Sequence, residues 1–136
     1  MGAWGTGVFD NDTACDWAYD LEEARDLSLI EAAINKVLAA GAEYLRAPDA
    51  EEALAAAEAV ARLKGNWGIR DGYTETLDKW VEKIGLSPPQ ALIEKALKAV
   101  ERVISGPSEL LELWGESDEF TAWEKSVKDL SERLRA

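Results

Sequence analysis

Apolar residues recur at intervals of three and four along most of this chain, which is the spacing of α-helices that bury one face. The spacing is strictest near the end, where Phe120, Trp123, Val127, Leu130 and Leu134 follow one another. No stretch shows the apolar and polar alternation of a half-buried strand. The sequence therefore predicts an all-α protein, a single compact bundle of about five to seven helices with no sheet.

One helical domain is predicted over residues 1–136, with an N-terminal Gly/Trp turn at residues 1–10 and helices thereafter. Asn11 is expected to cap the first helix. Later starts are predicted at capping residues or proline, and ends at glycine: starts at Ser28, Asp49, Thr74, Pro88, Ser108 and Ser117, ends at Gly41, Gly85 and Gly106. The helix over residues 88–105 has the broadest apolar face and is expected at the centre of the bundle.

Two other segments leave alternatives open. The apolar seam of the last helix lasts barely two heptads, so packing within one chain is favoured, and a weak homodimer through this helix is the alternative to a monomer. Residues 65–73 hold three glycines and two aromatic residues. They are predicted to form a packed crossover in which Trp67 fills the core, and a ligand contact by Trp67 is the alternative.

The N-terminal turn and the helix after it stand out from the rest of the chain. Gly5 and Gly7 bracket Thr6, and glycines so placed indicate a folded turn. Trp4, Phe9 and Trp17 are expected to hold the turn and the helix to the core. At 100° per residue, four carboxylates gather on the helix face opposite Trp17: Asp12, Asp16, Asp20 and Glu23. This stripe is interpreted either as a solvated outer face or as a docking surface for a cation or a basic partner.

The solvated face is the more common meaning of such a charge run, and the distribution of charge along the chain is what motivates the second interpretation. The net charge is −12. Residues 1–61 contain 13 acidic and 3 basic residues, net −10, whereas residues 62–136 contain 14 acidic and 12 basic residues, net −2. Direct binding to nucleic acid is not expected, because the phosphate backbone requires a basic surface. A strongly negative half can instead attract a basic protein.

The N-terminal pattern is similar to the signature of an uncharacterised, mainly bacterial family, the domain of unknown function family 4259. The positions that carry the resemblance are Trp4, Gly5, Gly7, Phe9, Asn11, Asp12, Ala14, Asp16 and Trp17. It continues through residues 44–48 and 108–114, and so extends over nearly the whole chain. The resemblance implies a small, single-domain, all-helical bacterial protein. It implies no activity and no catalytic residue.

The residue types present restrict the possible chemistry. The chain has no histidine, which removes the commonest general base and every arrangement that depends on one. Its one cysteine, Cys15, is expected to be structural. Asp12, Asp16 and Asp20 are weak candidates for a Mg²⁺ or Mn²⁺ site, for which further carboxylates can only be guessed among Glu22, Glu23 and Glu58. No cofactor is predicted.

These observations predict a non-catalytic interaction module whose acidic N-terminal half binds a basic protein partner. The alternative is a divalent-metal-dependent enzyme that uses Asp12, Asp16 and Asp20. A cytoplasmic location is expected, because one cysteine cannot form an internal disulfide and no signal or membrane-spanning segment is recognisable. Residues 1–6 match an N-myristoylation pattern, but the acidic surroundings oppose attachment to anionic lipid, and no membrane contact is predicted.

Overall fold

An alanine-rich helix, α3 (Ala47–Leu63), lies at the centre of the protein and packs against each of the other six helices. The structure is a computed structural model that describes residues 3–136. Around α3 lie α1 (Asp12–Leu21), α2 (Ser28–Ala39), α4 (Glu75–Ile84), α5 (Gln90–Val103), α6 (Glu109–Gly115) and α7 (Phe120–Arg135). Within the described residues there is no strand, only two isolated bridges, Ala3 with Asn11 and Leu45 with Ser108. The predicted all-α bundle is confirmed.

The central position of α3 corrects the prediction that the helix over residues 88–105 would occupy it. Every residue from Ala53 to Arg62 is buried. Alanine side chains are short, so neighbouring helices approach α3 from all sides. The broad apolar face of α5 also packs into the core, but its other face, which includes Glu94, Lys95 and Lys98, is exposed. The width of one apolar face is therefore a poorer guide to centrality than the absence of an exposed face, which α3 shows over residues 53–62.

Helix ends defined by local signals agree with the sequence. Asn11 caps α1 because its side-chain oxygen accepts a hydrogen bond from the Ala14 N–H at 2.8 Å. Ser108 caps α6 in the same way, accepting from the Leu111 N–H. Gly85 ends α4 with a φ of 65°, in the left-handed region that glycine enters at little cost.

Three predicted starts were displaced, and at a fourth the start is correct but the predicted cap is not. Ser28 is the first residue of α2 and not its cap, since its hydroxyl donates to Asp26 at 2.6 Å. α3 begins at Ala47, so Pro48 lies inside its first turn and Asp49 is not the start. α5 begins at Gln90 rather than Pro88, and α7 begins three residues after Ser117. Pro48 is tolerated because the first turn of a helix leaves its N–H groups free.

The apolar seam of α7 is used within the chain. Trp123, Val127, Leu130 and Leu134 are buried in the common core, and Phe120 is half-buried against it. Trp123 stacks on Trp114 of α6 with ring centroids 6.0 Å apart and planes 9° apart. The side chains predicted for a coiled-coil contact therefore hold α7 to its own chain.

Candidate functional site

The N-terminal turn is built around the side chain and backbone of Asp10. Its carboxylate accepts a hydrogen bond from the Gly7 N–H at 3.0 Å. Its carbonyl accepts from the Trp4 N–H at 2.9 Å, and its own N–H donates to the Gly7 carbonyl at 3.1 Å. Asp10 was not among the predicted site residues, although an aspartate three residues after a glycine is a signal for this kind of turn.

The two signature glycines are explained by this carboxylate. A Cβ atom added to Gly5 would lie 2.5 Å from an Asp10 carboxylate oxygen, and one added to Gly7 would lie 2.9 Å from it. Neither glycine has a positive φ, in contrast to Gly41, Gly65 and Gly85. Gly5 and Gly7 are therefore required for the close approach of the Asp10 side chain and not for an unusual backbone conformation.

Only two of the three aromatic anchors predicted for this region are in the core. Phe9 and Trp17 are buried, at 3% and 4% exposure. The Trp17 indole nitrogen is buried with no hydrogen-bond partner among the described residues. Trp4, however, is 47% exposed and packs against Tyr73, which is also about half exposed, with ring centroids 5.0 Å apart. Trp4 thus joins the turn to the segment before α4 instead of entering the core.

The predicted acidic stripe is exposed, but it is not uniform. Asp12, Asp16 and Asp20 lie on the outer face of α1, whereas Glu23 lies in the turn that follows, because α1 ends at Leu21. Lysine side chains lie beside the C-terminal end of the stripe, near Asp20 and Glu23. Asp20 shares a surface groove with Lys36, and Glu23 shares another with Lys83.

The N-terminal end of the stripe, around Asp12, lies in a more negative environment than the other end. Cys15 is half-buried, and its thiol donates to the Phe9 carbonyl at 3.3 Å. Burial raises the pKa of this thiol, and the nearby carboxylates of Asp12, Asp16, Asp10 and Asp71 raise it further. Asp71, from the segment before α4, was not among the predicted site residues. The structure therefore adds a carboxylate from a distant part of the chain to the N-terminal end of the stripe.

A network of buried charges lies beneath this surface. Glu58 and Arg62 lie one helical turn apart on the same side of α3. The Arg62 Nε lies 3.0 Å from a Glu58 carboxylate oxygen. Arg62 also donates to Asp78 of α4 at 2.5 Å and to the Ile69 carbonyl at 2.7 Å. Arg133 of α7 completes the network with two bonds to Glu58, at 2.6 and 2.9 Å. The Glu58 and Arg62 side chains are 3% and 2% exposed, so both charges depend on these partners.

This network corrects two expectations. Glu58 was considered a possible metal ligand with the stripe, but its carboxylate is occupied by two arginines. Trp67 only partly enters the core, and its ring contacts the guanidinium groups of Arg62 and Arg70, whose central carbons lie 5.7 and 4.2 Å from the ring centre. A glutamate and an arginine four residues apart inside an apolar run were the available signal for this network.

A partly open cavity of about 90 Å³ lies above the network. The N-terminal turn forms one wall and the segment from Ile69 to Thr74 forms another, while α7 closes the third side with Asp129 and Arg133. Glu58 and Arg62 line it from α3. The cavity therefore lies where the signature turn, the loop after α3 and the last helix meet.

Two features are absent from the part of the chain that the structure describes. Among residues 3–136, no group of three or more acidic or cysteine side chains is arranged to hold a metal ion. None of the helices in that part of the chain has the length and apolar character needed to cross a membrane.

The fold and this site define a class of small, acidic, all-α domain whose Gly/Trp turn is held by hydrogen bonds to one aspartate, Asp10. The chain belongs to the family described as Domain of unknown function (DUF4259), whose family model matches residues 2–126. This confirms the resemblance found in the N-terminal signature. Searches of curated proteins and of solved structures found no match.

Proposed function

We propose that this protein is a non-catalytic interaction module whose acidic N-terminal half binds a basic protein partner. The observation that carries the proposal is the exposure of Asp12, Asp16 and Asp20 on one face of α1, with Asp71 added beside them from another segment. Like charges four residues apart oppose helix formation slightly, so this stripe does not serve the stability of α1. An excess of exposed charge of one sign accelerates and orients the approach of an oppositely charged protein.

The pairing of the nearby arginines supports the proposal. Arg62 and Arg133 donate to Glu58, Asp78 and Asp129, and Arg70 pairs with Glu82. Their positive charges are thus balanced by other carboxylates. The acids of α1 remain available for a partner.

The test compares two variants with the same change in charge. Asp12→Asn/Asp16→Asn/Asp20→Asn removes the proposed surface, and Glu94→Gln/Glu116→Gln/Asp118→Asn removes three exposed acids from the second half. Capture of partners from a native lysate is measured at increasing salt. We expect the first variant alone to bind the partner roughly 3- to 150-fold more weakly, as three surface ion pairs contribute about 0.2–1 kcal/mol each. Binding by the wild type should also weaken with salt.

Equal binding by the wild type and both variants at every salt concentration would overturn the proposal. Equal loss in both variants would also overturn it, because net charge and not the α1 surface would then govern binding. Circular dichroism confirms beforehand that both variants retain the helical fold.

The alternative function is that of a divalent-metal-dependent enzyme using Asp12, Asp16 and Asp20. It is motivated only by the spacing of these residues on one side of α1, since among residues 3–136 they do not form a group that could hold a metal ion. A metal that binds the folded state raises the melting temperature by mass action. Under this alternative, millimolar Mg²⁺ or Mn²⁺ stabilises the wild type and leaves the Asp12→Asn/Asp16→Asn/Asp20→Asn variant unchanged.

The proposed setting is the cytoplasm. Cys15 is a free thiol that donates a hydrogen bond inside the fold, as is common for proteins of a reducing compartment.

A further inference from the structure

The cavity above the buried network has the size of a small charged group. Its volume is about 90 Å³, whereas one water molecule needs roughly 10–15 Å³ of such space. It is lined by residues from four segments: the N-terminal turn, α3, the loop after α3 and α7. The head of one long side chain from a partner can enter it without movement of the helices.

The charges that line the cavity favour a cation. Each of the three nitrogens of Arg62 donates to a group of the protein, as does each nitrogen of Arg133. Within residues 3–136, neither Asp10 nor Asp71 forms an ion pair, although both line the cavity. The positive groups are therefore engaged, and two carboxylates remain to balance an incoming positive charge. An anionic ligand would be repelled by the same two groups.

The exposed aromatic pair is carried by the same two segments as these carboxylates. The Trp4 N–H donates to the Asp10 backbone carbonyl, and the Tyr73 N–H donates to the Asp71 carboxylate at 2.9 Å. The two rings, which pack on each other, thus belong to the two segments that form walls of the cavity. Aromatic faces attract guanidinium groups and also pack against the aliphatic part of an arginine side chain.

We propose that the cavity binds one arginine side chain of the basic partner, with Asp10 and Asp71 as the pairing carboxylates and the rings of Trp4 and Tyr73 as its rim. This inference rests on the proposed function and names the contact at its centre. Arginine fits better than lysine because its guanidinium is planar, weakly hydrated and able to stack on an aromatic ring. Such a residue, anchored in a pocket and surrounded by weaker contacts, is the usual centre of a protein interface.

The experiment is an NMR titration of the full chain with the capped tripeptide Ala-Arg-Ala. The readouts are the indole N–H signal of Trp4 and the backbone N–H signal of Gly7. We expect both signals to shift with the arginine peptide and to shift far less with the same peptide containing citrulline, which keeps the shape without the charge. The lysine peptide should bind several-fold more weakly than the arginine peptide.

Two substitutions locate the contact. Asp71→Asn and Asp10→Asn should each weaken binding of the arginine peptide on the order of tenfold, because a charge-assisted hydrogen bond is lost. An asparagine oxygen still accepts the N–H groups of Tyr73, Thr74 or Gly7 that these residues now hold. Asp118→Asn, at an exposed acid outside both the cavity and the α1 stripe, is the matched control and should bind as the wild type does.

Three results would overturn the inference: equal shifts with the citrulline peptide, wild-type affinity in both Asp71→Asn and Asp10→Asn, or an equal loss of affinity in Asp118→Asn. The proposed function can fail separately. If the lysate partner is retained by Asp71→Asn and lost by Asp12→Asn/Asp16→Asn/Asp20→Asn, the acidic surface stands as the binding site and the cavity does not. If the reverse is observed, the cavity binds the partner and the stripe has no part in it.

Discussion

Arg133, near the end of α7, donates to both carboxylate oxygens of Glu58 in α3, at distances of 2.6 and 2.9 Å. The two residues are 75 positions apart in the chain. Two further contacts hold the same end of α7, since Lys64 donates to the Leu134 carbonyl and Asn66 to the Arg133 carbonyl. The last helix is thus held to the centre of the bundle by charge as well as by its apolar seam.

Glu58→Gln should destabilise the protein by about 3–5 kcal/mol, because it leaves Arg62 buried with one negative partner fewer. The measurement is urea unfolding followed by circular dichroism. Asp129→Asn is the control: Asp129 also pairs with Arg133, but its side chain is 59% exposed. Its replacement should cost less than about 1 kcal/mol. Similar losses in the two variants would show that burial of Glu58 is not what makes its charge important.

Gly5→Ala should destabilise the fold by about 1–3 kcal/mol, the usual cost of inserting a methyl group where there is no space. Its Cβ atom would lie 2.5 Å from the Asp10 carboxylate, so this side chain must shift and its hydrogen bond with the Gly7 N–H is disturbed. Gly72→Ala is the control, because nothing lies within 4 Å of the added Cβ. In the double variant Gly5→Ala/Asp10→Ala the two effects should be less than additive. Additive losses would mean that the Asp10 side chain is not what Gly5 accommodates.

Phe9→Ala and Trp4→Ala should separate the core residue of the turn from its exposed one. Phe9 is buried, so its truncation should cost about 3–5 kcal/mol. Trp4 is 47% exposed and packs mainly against Tyr73, and its truncation should cost about 1 kcal/mol. Both values come from urea unfolding. A loss at Trp4 as large as that at Phe9 would contradict its position outside the core.

Cys15 should react slowly with iodoacetamide near neutral pH, because burial first and the surrounding carboxylates second raise its thiol pKa. The thiolate is the reactive form, so the rise in rate with pH is shifted to higher pH than for a free thiol. Asp12→Asn/Asp16→Asn removes two of the carboxylates and should move the rise back toward lower pH, though not completely, since burial remains. Glu94→Gln should leave the profile unchanged, as Glu94 is not among the groups that raise this pKa.

Glu51→Gln should stabilise the protein at neutral pH. Burial is the largest influence on this carboxyl and raises its pKa above the ordinary value of 4.5, with a smaller contribution from Glu109, while a hydrogen bond with Thr13 lowers it. A raised pKa means that the folded state binds the proton more tightly than the unfolded state. Its contribution to stability is therefore complete below pH 4.5 and is lost as the pH rises through the folded-state pKa.

Melting temperatures of the wild type and Glu51→Gln, measured from pH 3 to pH 8, test this predicted dependence of stability on pH. The wild type and Glu51→Gln should converge at acid pH and separate as the pH rises, with the variant higher. A variant that melts below the wild type at neutral pH would reverse the predicted sign.

Local signals explain which helix boundaries were predictable. Asn11 and Ser108 each satisfy an N–H three residues ahead, so the sequence around them is sufficient to locate the starts of α1 and α6. The start of α3 depends instead on a distant residue: the Ala47 N–H donates to Glu109, 62 positions away, at 2.7 Å. No local pattern reports such a partner.

The candidate site likewise contains residues whose positions could be predicted from the local sequence and one whose position could not. The outward positions of Asp12, Asp16 and Asp20 follow from helical geometry once Trp17 is assigned to the core. Asp71 joins them only because the segment before α4 folds against the N-terminal turn.

From the sequence alone, the periodicity of apolar residues determined the all-α class, and the Gly/Trp signature determined the family. Both depend on residues close to one another in the chain. Only the tertiary structure decided that α3 is central, that Asp10 fills the space left by Gly5 and Gly7, and that Glu58 pairs with Arg133. The burial of α3 and the pairing of Glu58 depend on segments that are far apart in the chain. A buried charge, or a close approach between helices, exists only after those segments have packed together.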